Sequence, residues 1–285
     1  MFKCRSMINI AQMIKLKRLF MKKNCLLLLS LSLLSIAGIA QSKTVTLDYY
    51  FNHEFKKGGD GKFNTTRFHY LWEDKESSGY SILGDIFKKN GFNLKTLEVA
   101  PSEENLKGTS VYLMVDPDNE KETPNPNYIL PEHIKVLKKW VKEGGVLVIM
   151  MNDSINCEFE HAKPLTAAFG IQLNQDIKSH AYNDNFEMAA FYIPQNDPIF
   201  KTAKKVYLKE VTSLTLSKNA KPILVHQTEK YTVAAAAKFG KGTVVVVGDP
   251  WFYNEYINGR LGNNNGWDND KAADDFTKWL NAIIK

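Results

Sequence analysis

The sequence predicts an α/β fold in which helices cover both faces of a doubly wound, mostly parallel sheet. The strongest observation is Thr243–Val247, where four consecutive valines follow a Gly-Lys-Gly turn, as is typical of a strand buried on both faces. Two further apolar runs, Ser110–Val115 and Val146–Met151, have the same character. Segments with helical periodicity alternate with these strands, and a parallel sheet with crossover helices requires that alternation.

The first half of the chain supplies two strands and one helix around the buried strand Ser110–Val115. Their assignment rests on alternating β-branched and aromatic residues for strands, and on serine caps and Asn-Gly stops for the helix. The predicted elements are a strand at Thr44–Phe51 ending at Asn52-His53-Glu54, a loop at Phe55–Thr66, a helix capped by Ser77 or Ser78 and stopped by Asn90-Gly91, and a strand at Phe92–Val99.

The second half continues the alternation and then becomes less regular. Proline is favoured at the first position of a helix and glycine just past its end. The segment Ile171–Val233 contains short strands and proline-limited loops, and we expect it to extend the sheet or to form a small antiparallel edge. The helices predicted here start at Pro131 and end at Gly144-Gly145, span Lys163–Phe169, and span about Asp270–Ile284.

The net charge of +6 comes from the first 40 residues. These carry seven of the 37 Lys and Arg residues and no Asp or Glu, which leaves 30 basic against 31 acidic residues and a net charge near −1 for residues 41–285. A nucleic-acid-binding domain needs basic residues clustered on its folded surface. We therefore expect no nucleic-acid partner.

Residues 21–40 match a secretory signal peptide. Lys22-Lys23 precede an apolar run from Cys25 to Ile36, and small residues stand at the −3 and −1 positions before Gln41. The apolar run is shorter than the roughly 20 residues that a membrane span needs. We expect cleavage before Gln41, a periplasmic or secreted protein with no membrane association, residues 1–20 as an unused upstream start, and one domain at 41–285. A signal anchor is the alternative.

Three segments, LKKWVKEGGVLVIMMND, EHAKPLTAAFGIQLN and AKFGKGTVVVVGDPWFYNEYI, resemble a periplasmic family with the class I glutamine-amidotransferase-like fold, which is flavodoxin-like. The segments TVTLDYYFNHEF and FHYLWEDKESSGYSILGDIFKKNGF are similar to modules attached to unsaturated rhamnogalacturonyl hydrolases. The resemblance implies a role in pectin utilisation. It does not imply amidotransferase chemistry, because the strand ends that would carry the cysteine nucleophile hold Asp116, Asn152 and Asp249 instead.

Acidic and amide side chains follow three predicted strands. Asp116 and Asp118 follow the first, Asn152 and Asp153 the second, and Asp249 the third. In open α/β sheets, ligands bind beyond the carboxyl ends of the strands. If the three strands are neighbours, the carboxylates converge, where they could hold Ca²⁺ or divide acid and base roles. The alternative is that each aspartate stabilises the following turn, and for the set both interpretations stay open.

The loop from Asp249 to Asp268 is rich in Gly, Asn and aromatic residues. Long loops are often functional, and flat rings can cover the apolar faces of sugars. Packing of Trp251 and Phe252 as core at the end of the sheet is the alternative. The predicted ligand-binding residues are Asp116, Asp118, Asn152, Trp251, Tyr253, Tyr256 and Trp267.

Cys157 is the single cysteine of residues 41–285, so no internal disulfide is expected. It lies four residues before His161, but a thiol nucleophile needs a lowered pKa and a zinc site needs more soft ligands. We therefore assign no metal and no nucleophile here. His53, Glu54 and His69 are candidates for a general base if they lie near the strand ends.

These observations predict a secreted accessory protein of pectin (rhamnogalacturonan) utilisation that binds an oligosaccharide or polysaccharide without a cofactor. A pectin-degrading catalytic protein is the expected partner. One alternative is a glycan hydrolase that uses Asp153 and Asp249 as its carboxylate pair. The other is a structural module that docks a catalytic partner through an exposed apolar patch.

Overall fold

A nine-stranded sheet forms the centre of the described domain. The computed structural model describes residues 42–284 apart from Ser77, Asp184 and residues 251–265, and also the single residue Lys17. The predicted signal peptide, residues 21–40, therefore lies outside the described residues.

The elements follow one another as the sequence predicts in the regions that form the sheet centre. The strands are β1 (Lys43–Asp48), β2 (Phe55–Lys57), β3 (Phe63–Arg67), β4 (Phe92–Leu97), β5 (Val111–Val115), β6 (Val146–Met150), β7 (Ile171–Leu173), β8 (Ala190–Tyr192), β9 (Lys205–Tyr207), β10 (Leu214–Leu216), β11 (Lys221–Val225), β12 (Thr232–Phe239) and β13 (Gly242–Val247). The helices are α1 (Ser81–Lys89), α2 (Pro131–Glu143), α3 (Ala162–Ala167) and α4 (Asn269–Ile283), with a 3₁₀ turn at Phe186–Ala189.

Five strands run parallel in the order β4-β1-β5-β6-β13. Numbered along the chain these five have the order 2-1-3-4-5, which is the flavodoxin-like arrangement. The predicted doubly wound α/β fold is therefore confirmed. The order reverses between β1 and β5, and in such sheets the reversal marks the place where ligands bind.

Helices cover both faces of the parallel strands. Alternate residues of β5 show this division, because Leu113 belongs to the apolar cluster that contains Phe87 of α1 and Phe276 of α4. Its neighbour Tyr112 belongs to the cluster that contains Leu137 of α2. Side chains in a strand alternate between faces, so strands buried on both sides have to be apolar throughout, as β5, β6 and β13 are.

The antiparallel strands extend the sheet beyond β13. Strand β12 pairs with β13 over six residue pairs and also with β10 and β11, while β10 pairs with β7. These strands come mostly from the segment Ile171–Val233. Strands β8 and β9 form a separate two-stranded sheet.

Two local predictions were wrong. The stretch Phe55–Thr66 was expected to be a loop, but it contains the hairpin of β2 and β3. Helix α1 begins at Ser81 without a side-chain cap, and Ser78 Oγ donates to Asp74 Oδ2 at 3.3 Å instead of capping the helix. Ser77 lies outside the described residues.

The two ends of the described domain lie together. Lys43, the first residue of β1, donates from Nζ to the carbonyl oxygen of Asn281 in α4 at 2.6 Å. Helix α4 also packs against α1. In the part of the chain that is described, no helix has the length and apolar character needed to cross a membrane.

Candidate functional site

The predicted polar strand ends are neighbours in the sheet. Strands β5, β6 and β13 are adjacent, and Val115 and Val247 both pair with Met150. Asp116, Asn152 and Asp249 follow these paired positions within two residues. The side chains of Asp116 and Asn152 are in direct contact, because Asn152 Nδ2 donates to Asp116 Oδ2 at 2.9 Å.

Asp116 lies at the centre of a buried hydrogen-bond network. Its Oδ2 also accepts a bond of 2.9 Å from the Tyr70 hydroxyl, and Asn52 Nδ2 donates to its carbonyl oxygen at 3.1 Å. Burial raises the pKa of Asp116 to about 7, even though the bonds from Asn152 and Tyr70 favour its charged form. The backbone is in the left-handed region at both Asp116 (φ 43°) and Tyr70 (φ 50°), which non-glycine residues seldom adopt.

A second group of carboxyls surrounds this network on the β1 side. Asp118 Oδ2 accepts the His53 backbone N–H at 2.6 Å, and Glu54 Oε1 lies 2.6 Å from His69 Nδ1. Burial, and then the charge of Glu54, raises the pKa of Asp118 well above its ordinary value. Burial, and then the charge of Asp116, raises the pKa of Glu122 to about 9. The carboxyls of Asp118 and Glu122 are therefore held in part as neutral acids at neutral pH.

Asp48, at the carboxyl end of β1, lies at the same edge of the sheet but was not predicted as a site residue. Its Oδ2 accepts the backbone N–H groups of Phe51 and Asn52 at 2.9 and 3.2 Å, and its Oδ1 accepts the Tyr112 hydroxyl. Burial raises the pKa of Asp48 to about 6 despite these bonds. The residue was missed because the predicted strand ran on to Phe51, which placed Asp48 inside it.

The proposed carboxylate pair is enclosed. Asp153 and Asp249 are 2 % and 0 % exposed. Asp153 accepts the Ile155 N–H at 2.6 Å through Oδ1 and the Asn156 amide at 2.7 Å through Oδ2. Both oxygens of Asp153 therefore stabilise the turn that follows β6, which is the alternative the sequence left open.

The predicted aromatic residues are only partly placed. Trp251, Phe252, Tyr253 and Tyr256 lie in residues 251–265, outside the described residues. Trp267 is half-buried, with its ring centroid 5.4 Å from that of Tyr207 in β9 and Lys205 Nζ 4.3 Å above it. Trp267 thus packs against the small sheet of β8 and β9.

An open cleft of about 680 Å³ lies next to the turn after β6, and we call it the carboxyl-edge cleft. Its walls come from the segment after β5, the segment between β6 and α3, and Gln175. Within it, the rings of Tyr128 and His161 stack with centroids 4.4 Å apart and an angle of 17°. His161 Nδ1 lies 3.1 Å from Glu158 Oε1, which fixes the orientation of the imidazole. No periodicity around Tyr128 in the sequence could have marked this residue.

Cys157 lines the same cleft but has the wrong environment for a nucleophile. It is buried in the apolar cluster that contains Leu165 and Met151. Burial, and then the nearby charge of Asp116, raises the pKa of its thiol well above the ordinary value. A reactive thiolate needs the opposite shift, so this geometry supports a packing role for Cys157.

Within the described residues, no group of three or more His, Cys, Asp or Glu side chains is arranged to hold a metal ion. The acids at the strand ends, for which Ca²⁺ was considered, are among these described residues. Asp116 Oδ2 accepts hydrogen bonds from Tyr70 and Asn152, and Asp118 Oδ2 accepts the His53 backbone N–H.

Comparison with known proteins shows the fold and nothing finer. Neither a family model nor a curated protein sequence matches the chain. Among solved structures, it is similar to the mmIFT52 N-terminal domain (TM-score 0.62, 17% identity, covering 84% of this chain and 97% of that one). It is also similar to the cytoplasmic protein STM1381 from Salmonella typhimurium LT2 (TM-score 0.56, 11% identity, 85% and 100% covered). A cold-adapted β-galactosidase from Rahnella sp. R3 matches with a TM-score of 0.51 and 12% identity, over 85% of this chain and 31% of that one.

Proposed function

We propose that this protein binds carbohydrate, without catalysis, in the carboxyl-edge cleft. The observation that carries the proposal is the position of the cleft beside β5 and β6, at the edge where open α/β sheets bind their ligands. Its lining combines rings, from Tyr128 and His161, with amide side chains, from Asn119 and Gln175. Rings suit the C–H faces of sugars, and amides suit their hydroxyl groups.

The enclosed carboxylates support binding over hydrolysis. A glycosidase needs two carboxyl groups that reach the scissile bond. Asp153 uses both oxygens in local hydrogen bonds, and Asp249 is fully buried. The hydrogen bonds of Asp153 instead stabilise the turn after β6, whose residues Ser154 and Ile155 line the cleft.

The biological setting belongs to the same proposal. The resemblance to modules of pectin-degrading enzymes supports rhamnogalacturonan fragments as ligands and a pectin-degrading catalytic protein as partner. The match to part of a β-galactosidase is consistent with this, since the fold occurs there within a carbohydrate-active enzyme. The signal-peptide pattern of residues 21–40 supports a periplasmic or secreted location.

Isothermal titration of residues 41–285 with rhamnogalacturonan oligosaccharides tests the proposal. We expect measurable heat for the wild-type protein and about tenfold weaker binding for Tyr128→Ala, because the ring contact is lost. The matched control is Tyr182→Ala, since Tyr182 also lies against a histidine, 4.2 Å from His180, outside the cleft. Absence of heat with every fragment, or equal affinity of wild type and Tyr128→Ala, would contradict the proposal.

A glycan hydrolase is the second candidate, and Asp116 favours it. A buried acid with a pKa of about 7 and a strained backbone has features that recur at catalytic sites. Product release from labelled oligosaccharides should then be lost in Asp116→Asn, or in Asp153→Asn and Asp249→Asn if that pair is responsible. No product release by the wild-type protein would remove the hydrolase.

A further inference from the structure

A second cleft, of about 410 Å³, opens between the β2–β3 hairpin and the segment after β5. We call it the hairpin cleft. Three half-buried phenylalanines line it: Phe55, Phe63 and Phe68. None of the three rings belongs to the apolar clusters that hold the described domain together.

The fold of the hairpin does not depend on these rings. Strands β2 and β3 pair with each other and form a sheet of two strands, apart from the main sheet. The residues between Lys57 and Phe63 are Gly58-Gly59-Asp60-Gly61-Lys62, which cannot contribute to an apolar core. Half-buried rings grouped around a cleft on a polar hairpin are typical of a binding surface.

Lysines surround the rings. Lys57 Nζ lies 4.8 Å above the Phe63 ring and donates to the Lys121 carbonyl at 3.3 Å. Lys56 Nζ lies 5.8 Å from the centroid of Phe68 and forms an exposed ion pair with Glu76 at 3.1 Å. Lys121 lines the hairpin cleft as well.

Two acids also line this cleft. Glu54 Oε1 lies 2.6 Å from His69 Nδ1. Burial raises the pKa of Glu122 to about 9, so its carboxyl is largely neutral at pH 7 and can donate a hydrogen bond. The hairpin cleft has apolar walls, and Lys56, Lys57 and Lys121 lie around it.

The two clefts meet at one segment of chain. Lys121 lines both, Asn119 and Glu120 line the carboxyl-edge cleft, and Glu122 lines the hairpin cleft. A ligand that lies in the first cleft and crosses this short segment enters the second. An extended polymer fits that path, whereas a single small molecule fills only one of the clefts.

We infer that the two clefts are successive subsites for one acidic oligosaccharide, and that the hairpin cleft binds its uronic acid units. The phenylalanine rings contact the C–H faces of the sugars, and Lys56, Lys57 and Lys121 pair with their carboxylates. The inference rests on the proposed function, since it takes the carboxyl-edge cleft as the first subsite. It adds the place where the acidic units of the ligand bind and a length requirement.

Titration with ligands of two lengths tests the inference. The probes are a disaccharide and a hexasaccharide that contain galacturonic acid, and the same hexasaccharide with its carboxyl groups reduced to alcohols. We expect the acidic hexasaccharide to bind about tenfold more tightly than the disaccharide and the reduced hexasaccharide. Phe63→Ala and Lys57→Ala should remove that advantage and leave disaccharide binding unchanged, while Tyr128→Ala weakens both ligands.

The controls distinguish failure of this inference from failure of the proposed function. Phe63→Leu keeps apolar volume without the flat ring and tests the stacking contact if Phe63→Ala does not fold. Phe186→Ala, a half-buried phenylalanine beside Tyr207, should leave the length dependence intact. If wild type binds both acidic ligands equally, or if Phe63→Ala and Phe63→Leu both keep the hexasaccharide advantage, the inference is wrong while the proposed function stands. If wild type binds none of the probes, both are overturned.

Discussion

The buried carboxyls predict that the protein loses stability as the pH rises above 5. Burial raises the pKa of Asp48 from 3.8 to about 6 and that of Asp116 from 3.8 to about 7. The folded state therefore binds more protons than the unfolded state between pH 4 and pH 7. Stability is fully present below the unfolded pKa and is lost as the pH rises through the folded pKa.

The magnitude follows from the shifts. Between pH 5 and pH 8 the free energy of unfolding should fall by about 1 kcal/mol through Asp48 and about 3 kcal/mol through Asp116. Glu122, whose pKa is raised to about 9 by burial, acts in the same direction. Asp268 and Asp274, whose pKa values are lowered, do not oppose this loss of stability, because the stability that they contribute is already complete above about pH 4. His226, whose pKa is lowered by partial burial, opposes it only slightly.

Urea unfolding at pH 5, 6, 7 and 8 measures this loss. In Asp116→Asn the amide oxygen still accepts from Tyr70 and Asn152 but no longer titrates, so the loss between pH 5 and pH 8 should shrink by about 3 kcal/mol. The matched control is Asp85→Asn on α1, an aspartate whose side chain is 76% exposed, which should keep the wild-type dependence. Stability that is constant or rises from pH 5 to pH 8, or an Asp116→Asn protein with the full loss, would refute the assignment.

Three further predictions concern packing, the thiol and the leader. In urea unfolding, Gly248→Ala should lower the free energy of unfolding by about 3 kcal/mol, because the new Cβ would lie 2.0 Å from the Thr212 carbonyl oxygen. The control Gly59→Ala should be nearly neutral, because its Cβ would meet no atom within 4 Å. Equal losses would contradict this. Cys157→Ser should leave ligand affinity unchanged in titration, and a complete loss with the fold intact would restore the thiol as a functional group. Intact-mass analysis of exported protein should find a chain that begins at Gln41, and retention of residues 21–40 would show that the segment is not cleaved.

The parallel part of the sheet could be predicted because its strands are buried on both faces. Such strands carry continuous apolar runs, as in β5, β6 and β13, and the pattern does not depend on any distant residue. Helix α2 could also be predicted from the sequence, because Pro131 marks its start and Gly144, with φ 135°, marks its end. The order of the strands was not predicted, because β4 and β5 follow one another among the parallel strands but lie on opposite sides of β1.

The missed elements depend on partners far along the chain. Strand β12 contains Ala234–Ala237, and alanine favours helix over strand. It is extended because β13 pairs with it on one side, and β10 and β11 on the other. Small side chains also suit a strand that is buried in the sheet. The β2–β3 hairpin was hidden by its glycines, which are typical of loops.

The sequence indicated that polar side chains follow neighbouring strands, but it did not show the chemistry of the site. The sequence placed Asp116 and Asn152 at one edge, and their side chains are hydrogen-bonded there. It could not show that Tyr70, 46 residues earlier, bonds to Asp116, or that Tyr128 stacks on His161. Burial and pKa arise from such contacts, so only the three-dimensional arrangement reveals which acids are held neutral.

The contact between Lys43 and Asn281 has a consequence for how the chain folds. The two residues are 238 positions apart, and the strand that begins at Lys43 lies between β4 and β5 in the sheet. Closing so long a loop is entropically costly, and proteins rich in distant contacts fold slowly. During synthesis, β1 can pair with β4 and β5 early, but the face that α4 covers, including Leu83 and Phe87, stays open until α4 has been made. A chain that emerges amino end first therefore exposes this apolar face while the residues between α1 and α4 are synthesised, and a chaperone that binds nascent chains could bind it during that time.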